Sequence, residues 1–174
     1  MGEREHEQPQ GEVSDQLYRE AAAVLDALSA AGHTLAVAES LTGGLLSATV
    51  TDVPGASAVF RGGVCAYSSD LKVSLLDVPD DLVLSEGVVS ASVAEAMARG
   101  ARARLGSTYA LSTTGVAGPD PQEGKAVGTV FVAVSGPEGT DTHELRLRGD
   151  RQAIRQSTCL AALGVLRRRL GATG

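Results

Sequence analysis

A chain of 174 residues has the length of one domain, and with 43% hydrophobic residues it can bury a core of its own. Aromatic residues make up only 3%, so Val, Leu and Ala must fill that core. A net charge of -6 excludes a nucleic-acid backbone or an anionic membrane surface as the main partner, and no apolar run approaches the length of a membrane span. Residues 1–13 read as a polar, disordered tail and not as a signal peptide, which leaves residues 14–171 as the folded domain. Cys65 and Cys159 lie far apart in unlike contexts; they read as reduced, half-buried thiols of a cytoplasmic protein, with no spacing that would join them to a histidine around a metal.

Residues 14–31 place Leu17, Ala21, Val24, Leu25 and Leu28 on one helical stripe that Gly32 stops. A short buried strand over 34–38 leads to Ser40, and a helix over 43–51 ends at the turn Asp52-Val53-Pro54-Gly55. A second strand follows over 62–67, then a helix over 68–76 broken by Val78-Pro79. The next helix covers 91–105, with Ser90 or Ser92 as its cap and Glu95 completing a capping box for Ser92. A third strand over 108–113 runs into Thr114-Gly115-Val116-Ala117-Gly118-Pro119. Strands over 127–135 and 140–148 flank a hairpin loop at Gly136-Pro137-Glu138-Gly139, and a last helix covers 151–170. Arg167-Arg168-Arg169 complement the dipole at its end. Helices alternating with strands, apart from the late hairpin, give an α/β fold: a single-domain three-layer sandwich with a mixed β-sheet flanked by helices.

The stretch Leu35-Ala36-Val37-Ala38-Glu39-Ser40-Leu41-Thr42-Gly43-Gly44 sets Ser40 where a strand turns into a helix. The amides of Thr42, Gly43 and Gly44 then stand among the open donors of the helix start, where an anion or a developing oxyanion is favoured. Two readings are open: Ser40 or Thr42 is a helix cap, or Ser40 is a nucleophile. Thirteen of the fifteen basic residues are arginine; the lysines are Lys72 and Lys125. Of the two cation types only lysine can give up its proton when partly buried, which points to Lys72 and Lys125 alike. Other motifs fail. Residues 118–126 imitate a phosphate-binding loop, but with one residue too many between the glycines and with Ala126 where a hydroxyl should hold magnesium. No Gly-x-Gly-x-x-Gly follows the first strand, and no histidine is placed to complete a serine triad.

Five separated motifs remain: Glu39-Ser40-Leu41-Thr42-Gly43-Gly44, Pro54-Gly55-Ala56-Ser57, Ala66-Tyr67-Ser68-Ser69-Asp70-Leu71-Lys72, Thr114-Gly115-Val116-Ala117-Gly118-Pro119 and Gly149-Asp150-Arg151. In these, over residues 16–170, the chain resembles the CinA C-terminal-domain family, whose stand-alone members include a nicotinamide mononucleotide deamidase. The resemblance implies an amidohydrolase that turns nicotinamide mononucleotide and water into nicotinic acid mononucleotide and ammonia without metal or cofactor, as a homodimer. It carries Ser40 onto the family's nucleophile, and Tyr67 and Lys72 onto a motif implicated in proton transfer. Ser57 falls on a serine of the same polar network. Thr114, Gly115, Gly118 and Arg151 fall on the nucleotide site. Neutral Lys72, directly or through Tyr67 or Ser57, is expected to take the Ser40 proton; Thr42, Gly43 and Gly44 are expected to bind substrate, the last two as oxyanion donors.

The sequence departs from the family at Leu41, where a cysteine is common, at Ala66 and Ser69, and at residues 120–124, which lack the usual glycine run. It shows no counterpart of the domain that precedes this module in longer members, so pyrophosphatase activity tied to that domain is expected to be absent. The competing reading is a non-catalytic pyridine-nucleotide-binding protein, or a competence- or damage-associated interaction protein, on the same fold.

Overall fold

The computed structural model describes residues 10–172. The elements in chain order are α1 (Gln10–Ala30), β1 (Leu35–Glu39), α2 (Leu45–Thr51), a short 3-10 turn (Ala56–Ala58), β2 (Phe60–Cys65), α3 (Ser69–Leu76), α4 (Asp80–Glu86), α5 (Ala91–Leu105), β3 (Tyr109–Gly115), β4 (Thr129–Gly136), β5 (Gly139–Arg146) and α6 (Arg151–Ala172). The first helix thus starts before the expected Ser14, and the rest of the expected tail, residues 1–9, lies outside the described residues. Residues 80–86, unassigned from sequence, form α4, which carries no buried side chain and therefore has no apolar stripe for periodicity to detect.

The five strands form one sheet in the order β2-β1-β3-β4-β5. β1 pairs in parallel with β2 and β3, whereas β3/β4 and β4/β5 are antiparallel. Alternation along the central strands divides the core. Leu35, Val37, Tyr109, Leu111, Val130, Val132 and Val134 face α1, α2 and α6, while Ala36, Ala38, Ala110 and Ala133 face the α3–α5 side. Large residues fill the first gap; in the second, small residues on β1 and β3 let α5 lie close, while Phe131 of β4 fills the space beside Ala94 and Ala98. The β4–β5 hairpin closes with Gly136 opposite Gly139, a two-residue connection.

Local chemistry sets the boundaries. Ser90, and not Ser92, caps α5: its Oγ accepts from the Val93 amide at 3.3 Å, while the Ser92 hydroxyl turns back to Glu86. The arginines near the end of α6 do more than complement a dipole. Arg167 pairs with Glu20 of α1, and Arg169 reaches Asp141 at 2.9 Å, Glu138 at 3.2 Å and the Gly139 carbonyl at 2.9 Å, which ties the helix to the hairpin. The two thiols differ from the half-buried pair expected: Cys65 is exposed on the edge strand, and Cys159 is fully buried in α6.

Gly100 shows how close α5 lies to its neighbours. Helix propensity alone favours alanine there by about 1 kcal/mol. A Cβ at that position would, however, fall inside the backbone carbonyl of Leu76, which cannot rotate away. Overpacking against a rigid backbone costs about 1–3 kcal/mol and outweighs the propensity gain. Gly100→Ala is therefore expected to lower the urea midpoint with an unchanged m-value; a midpoint equal to or above that of the parent chain would contradict the packing described.

Candidate active site

The carboxyl ends of β1, β2 and β3 open on one side of the sheet. The helix after β1 covers one face and those after β2 cover the other, which is where open α/β sheets form a crevice. Ser40 follows β1 directly; its amide donates to the Thr113 carbonyl at 3.0 Å, and the residue is 9% exposed. Gly43 (φ +56) and Gly44 (φ +98) then carry the chain through left-handed backbone into α2, a path that costs other residues strain. Ser40 accepts no hydrogen bond from the first turn of α2, so the cap reading fails. That role belongs to Glu39, whose carboxylate accepts from the amides of Gly44 (3.1 Å), Leu46 (3.0 Å) and Ser47 (2.8 Å) and from the Ser47 hydroxyl (2.7 Å).

Lys72 reaches the same point from α3 and is only 1% exposed. Its Nζ lies 2.8 Å from the Ala66 carbonyl, 3.3 Å from the Tyr67 carbonyl and 3.1 Å from Ser40 Oγ. This set of partners suits both protonation states. An ammonium donates to all three oxygens, and a neutral amine keeps its two N–H bonds to the carbonyls while its lone pair faces the serine hydroxyl. Burial pushes the Lys72 ammonium down from 10.5 to about 8, against weaker opposing pulls from Glu123, Cys65 and Asp70. The contact thus joins a hydroxyl to an amine that is substantially neutral just above neutrality.

A cavity of about 150 Å³ opens over this pair, lined by Ser40, Leu41, Tyr67, Ser69 and Lys72 on one side and by Val88, Val89 and residues 114–118 on the other. Thr114 Oγ1 donates to the Val88 carbonyl at 2.7 Å, joining β3 to that wall. Glu123 accepts from the amides of Val88 and Val89, both at 3.2 Å, and so holds the loop bearing Asp120 and Gln122 against it. At the mouth, Arg151 spans the opening: Nη1 donates to the Gly118 carbonyl at 2.6 Å and Nη2 to the Tyr67 hydroxyl at 3.0 Å.

Of the residues expected from sequence, the structure brings Ser40, Lys72, Tyr67, Thr114, Gly115, Gly118 and Arg151 to one cavity. It does not bring Ser57 there. That residue is exposed in the turn before β2, beside the amino end of β1, a strand length of roughly 15 Å from Ser40. Thr42 is fully buried with its hydroxyl 2.7 Å from that of Thr113, so it braces the turn and does not line the cavity. The amides of Gly43 and Gly44 are already engaged, by the Ser40 carbonyl and by Glu39, and have no donor left for an oxyanion. Among the described residues the unpartnered amides of this turn belong to Leu41 and Thr42, and Leu41 lines the cavity. A donor on the residue after a nucleophilic serine is the arrangement that stabilises a tetrahedral oxyanion. Sequence reasoning also passed over Glu39, Arg155 and Glu123. Arg155 could have been found from its position one turn after Arg151 on the same helix face; it donates to the carbonyls of Leu41 (3.1 Å) and Thr42 (2.7 Å).

The comparison with known proteins fits this geometry. The sequence pattern of the CinA C-terminal domain matches residues 18–170. The chain belongs to the CinA C-terminal domain family. A CinA-like protein of Frankia casuarinae is 54% identical over 84% of this chain, and a putative competence-damage inducible protein of Desulforamulus reducens is 51% identical over 76%. The chain spans about a third of the length of these relatives, 34% and 32% respectively. Among solved structures, a CinA superfamily protein of Klebsiella pneumoniae aligns with a TM-score of 0.87 at 29% identity, covering 90% of this chain and 98% of that one. The competence/damage inducible protein CihA of Agrobacterium tumefaciens aligns with a TM-score of 0.85 at 33% identity, covering 90% and 96%. The mixed five-stranded sandwich is thus the CinA superfamily fold. Among its described residues, no helix is long and apolar enough to cross a membrane.

Lys72 also links stability to pH. Its folded pKa of about 8 lies below the ordinary 10.5, so between those values the unfolded chain holds more protons and stability rises with pH. The full penalty, about 3 kcal/mol, applies below pH 8. Relative to Lys72→Met, the parent chain is therefore expected to gain about 3 kcal/mol between pH 8 and 10.5, as measured by urea unfolding at several pH values. A difference that stays flat across that window would show that the lysine is not desolvated.

Proposed function

We propose that this chain hydrolyses the carboxamide of nicotinamide mononucleotide to nicotinic acid mononucleotide and ammonia. The observation that carries the reading is the 3.1 Å contact between the buried, readily neutral Lys72 amine and Ser40 Oγ in the cavity wall. Amide hydrolysis needs a nucleophile, a base for its proton, an acid for the departing nitrogen and donors for the oxyanion. In this reading Ser40 Oγ adds to the amide carbon as its proton passes to Lys72, and the Leu41 amide takes the negative oxygen. Lys72 returns the proton to the nitrogen, the C–N bond breaks, and ammonia leaves an ester on Ser40. Water enters, gives a proton to Lys72 and its oxygen to the ester carbon, and the acid departs as Ser40 recovers its proton. No relay is needed between Lys72 and Ser40, so Tyr67, whose hydroxyl meets Arg151, serves the mouth of the cavity. The space over Ser40 suits a pyridine carboxamide. The ribosyl phosphate extends outward to Arg151, a guanidinium able to give a phosphate two parallel bonds. That the family's stand-alone members include such a deamidase supports the substrate assignment.

Purified protein is expected to release ammonia from nicotinamide mononucleotide and not from nicotinamide, with Ser40→Ala slower by roughly 10⁴-fold or more. The logarithm of kcat/KM should rise with unit slope up to about pH 8 and then level, because Lys72 must be neutral to act. Lys72→Arg, which cannot give up its proton, should abolish turnover. No ammonia from any of these substrates, with the protein shown to be folded, would turn the reading to a non-catalytic binder. Arg151→Ala is expected to raise KM for the mononucleotide on the order of tenfold or more while leaving the slow hydrolysis of the riboside unchanged; an equal effect on both would remove Arg151 from phosphate recognition.

A further inference from the structure

The turn that carries Ser40 is gripped from two sides. On one side lies the Glu39 carboxylate, 1% exposed, its oxygens occupied by the Gly44, Leu46 and Ser47 amides and the Ser47 hydroxyl. A carboxylate taken that far out of water persists only if hydrogen bonds replace its hydration, and these donors supply them. The start of α2 is thereby saturated by the chain's own anion and offers nothing to a ligand. On the other side Arg155 holds the carbonyls of Leu41 and Thr42, and the Gly43 amide holds the carbonyl of Ser40. A peptide group is planar and trans, so tying its carbonyl fixes the direction of the N–H at its other end. The carbonyls of Ser40 and Leu41 share peptide planes with the amides of Leu41 and Thr42, the two left without a partner among the described residues. The approach of α2 to the sheet is fixed as well. A Cβ on Gly63 of β2 would collide with the Ser47 hydroxyl that donates to Glu39.

We infer that Glu39 is the positioning residue of the oxyanion turn: its carboxylate, with Arg155 opposite, holds residues 40–44 in the shape that points the Leu41 amide at the reacting carbonyl oxygen. This rests on the amidase reading above but concerns only Ser40 and the turn, so it can be tested without the natural substrate. Pyridine-3-boronic acid is small enough for the cavity. The serine oxygen adds to its trigonal boron while the serine proton passes to Lys72, and the resulting tetrahedral boronate presents an oxygen where the oxyanion would stand.

The experiment measures boronate affinity at pH 8, with boron NMR to report the tetrahedral species, beside ammonia release, for the parent chain, Ser40→Ala, Glu39→Gln and Ser47→Ala. Glutamine keeps the size of the side chain but turns one acceptor into a donor that faces other donors. Glu39→Gln is expected to melt cooperatively, to bind the boronate at least roughly tenfold more weakly, and to lose kcat on the order of 10²-fold with KM changed less than about threefold. The rising limb of its pH profile should stay at about 8, since Lys72 is untouched. Should that variant not fold, Ser47→Ala removes one of the four bonds and is expected to weaken boronate binding and kcat by the same few-fold factor. Boronate affinity and kcat within about twofold of the parent in a folded variant overturn the inference, as does a parent chain that binds the boronate no better than Ser40→Ala. Loss of boronate binding in Glu39→Gln when the parent releases no ammonia from the mononucleotide upholds the positioning role and refutes only the choice of substrate.

Discussion

Everything at this site depends on keeping an amine out of water. A lysine side chain is long enough to reach solvent from nearly any helix, and Lys72 is instead folded inward until 1% of it remains exposed. The cost of that burial is carried by the carbonyls of Ala66 and Tyr67, held at the end of β2 by the Ala66 amide bond to the Glu39 carbonyl at 2.9 Å. The edge of a strand thus becomes a polar cup for a single nitrogen. Its third direction is filled by Ser40, and the pairing is tight because both residues are pinned to adjacent parallel strands or to the turns that leave them.

The packing of small residues makes this possible. On the face of the sheet that receives α5, β1 and β3 present Ala36, Ala38 and Ala110, and α5 answers with Ala94, Ala98 and Ala101. Where α5 meets the end of α3, a single added carbon at Gly100 would collide with the Leu76 backbone, and on the opposite face of the sheet one at Gly63 would collide with the side chains of Ser47 and Val37. Close approach leaves little slack for the helices to slide, so distances near 3 Å between groups on α3, β1 and the turn into α2 are maintained by main chain more than by rotamer choice. The low aromatic content of the chain, which at first only limited what could fill its core, is the compositional trace of this design.

The fold was largely legible in the sequence because its period signals were strong. The all-buried runs of β1 and β4, the alanine stripe of α5 and the glycine-flanked hairpin each announce themselves over several residues. α4 did not, being exposed apart from the partly buried Leu82 and Val83. At the site, the residues that bear on the cavity were those in loops with unusual composition. Residues that act through the backbone were hidden. Glu39 reads as the last residue of an apolar strand, Arg155 as one of many arginines on a helix, and nothing local reports that their partners are peptide groups. Ser57 failed for the opposite reason. It sits in a recognisable motif, but parallel pairing places the turn before β2 at the amino end of the sheet, far from the strand ends that hold Ser40.

The parts of this site come from distant stretches of chain. Thr42 meets Thr113 across 71 positions of sequence, and Arg155 reaches the carbonyl of Leu41 across 114. Loops of that span close late, because local helices and hairpins form without having to bring remote segments together. During synthesis β1 emerges before β3 and so has no partner on that side until Tyr109 has followed, and the turn after it is not clamped until α6 has been made. The clamp on the Ser40 turn is therefore completed last. A chain that lacks α6 contains the Ser40 hydroxyl and the Lys72 amine but not the clamped turn between them, so the geometry around Ser40 becomes a report on the completion of folding.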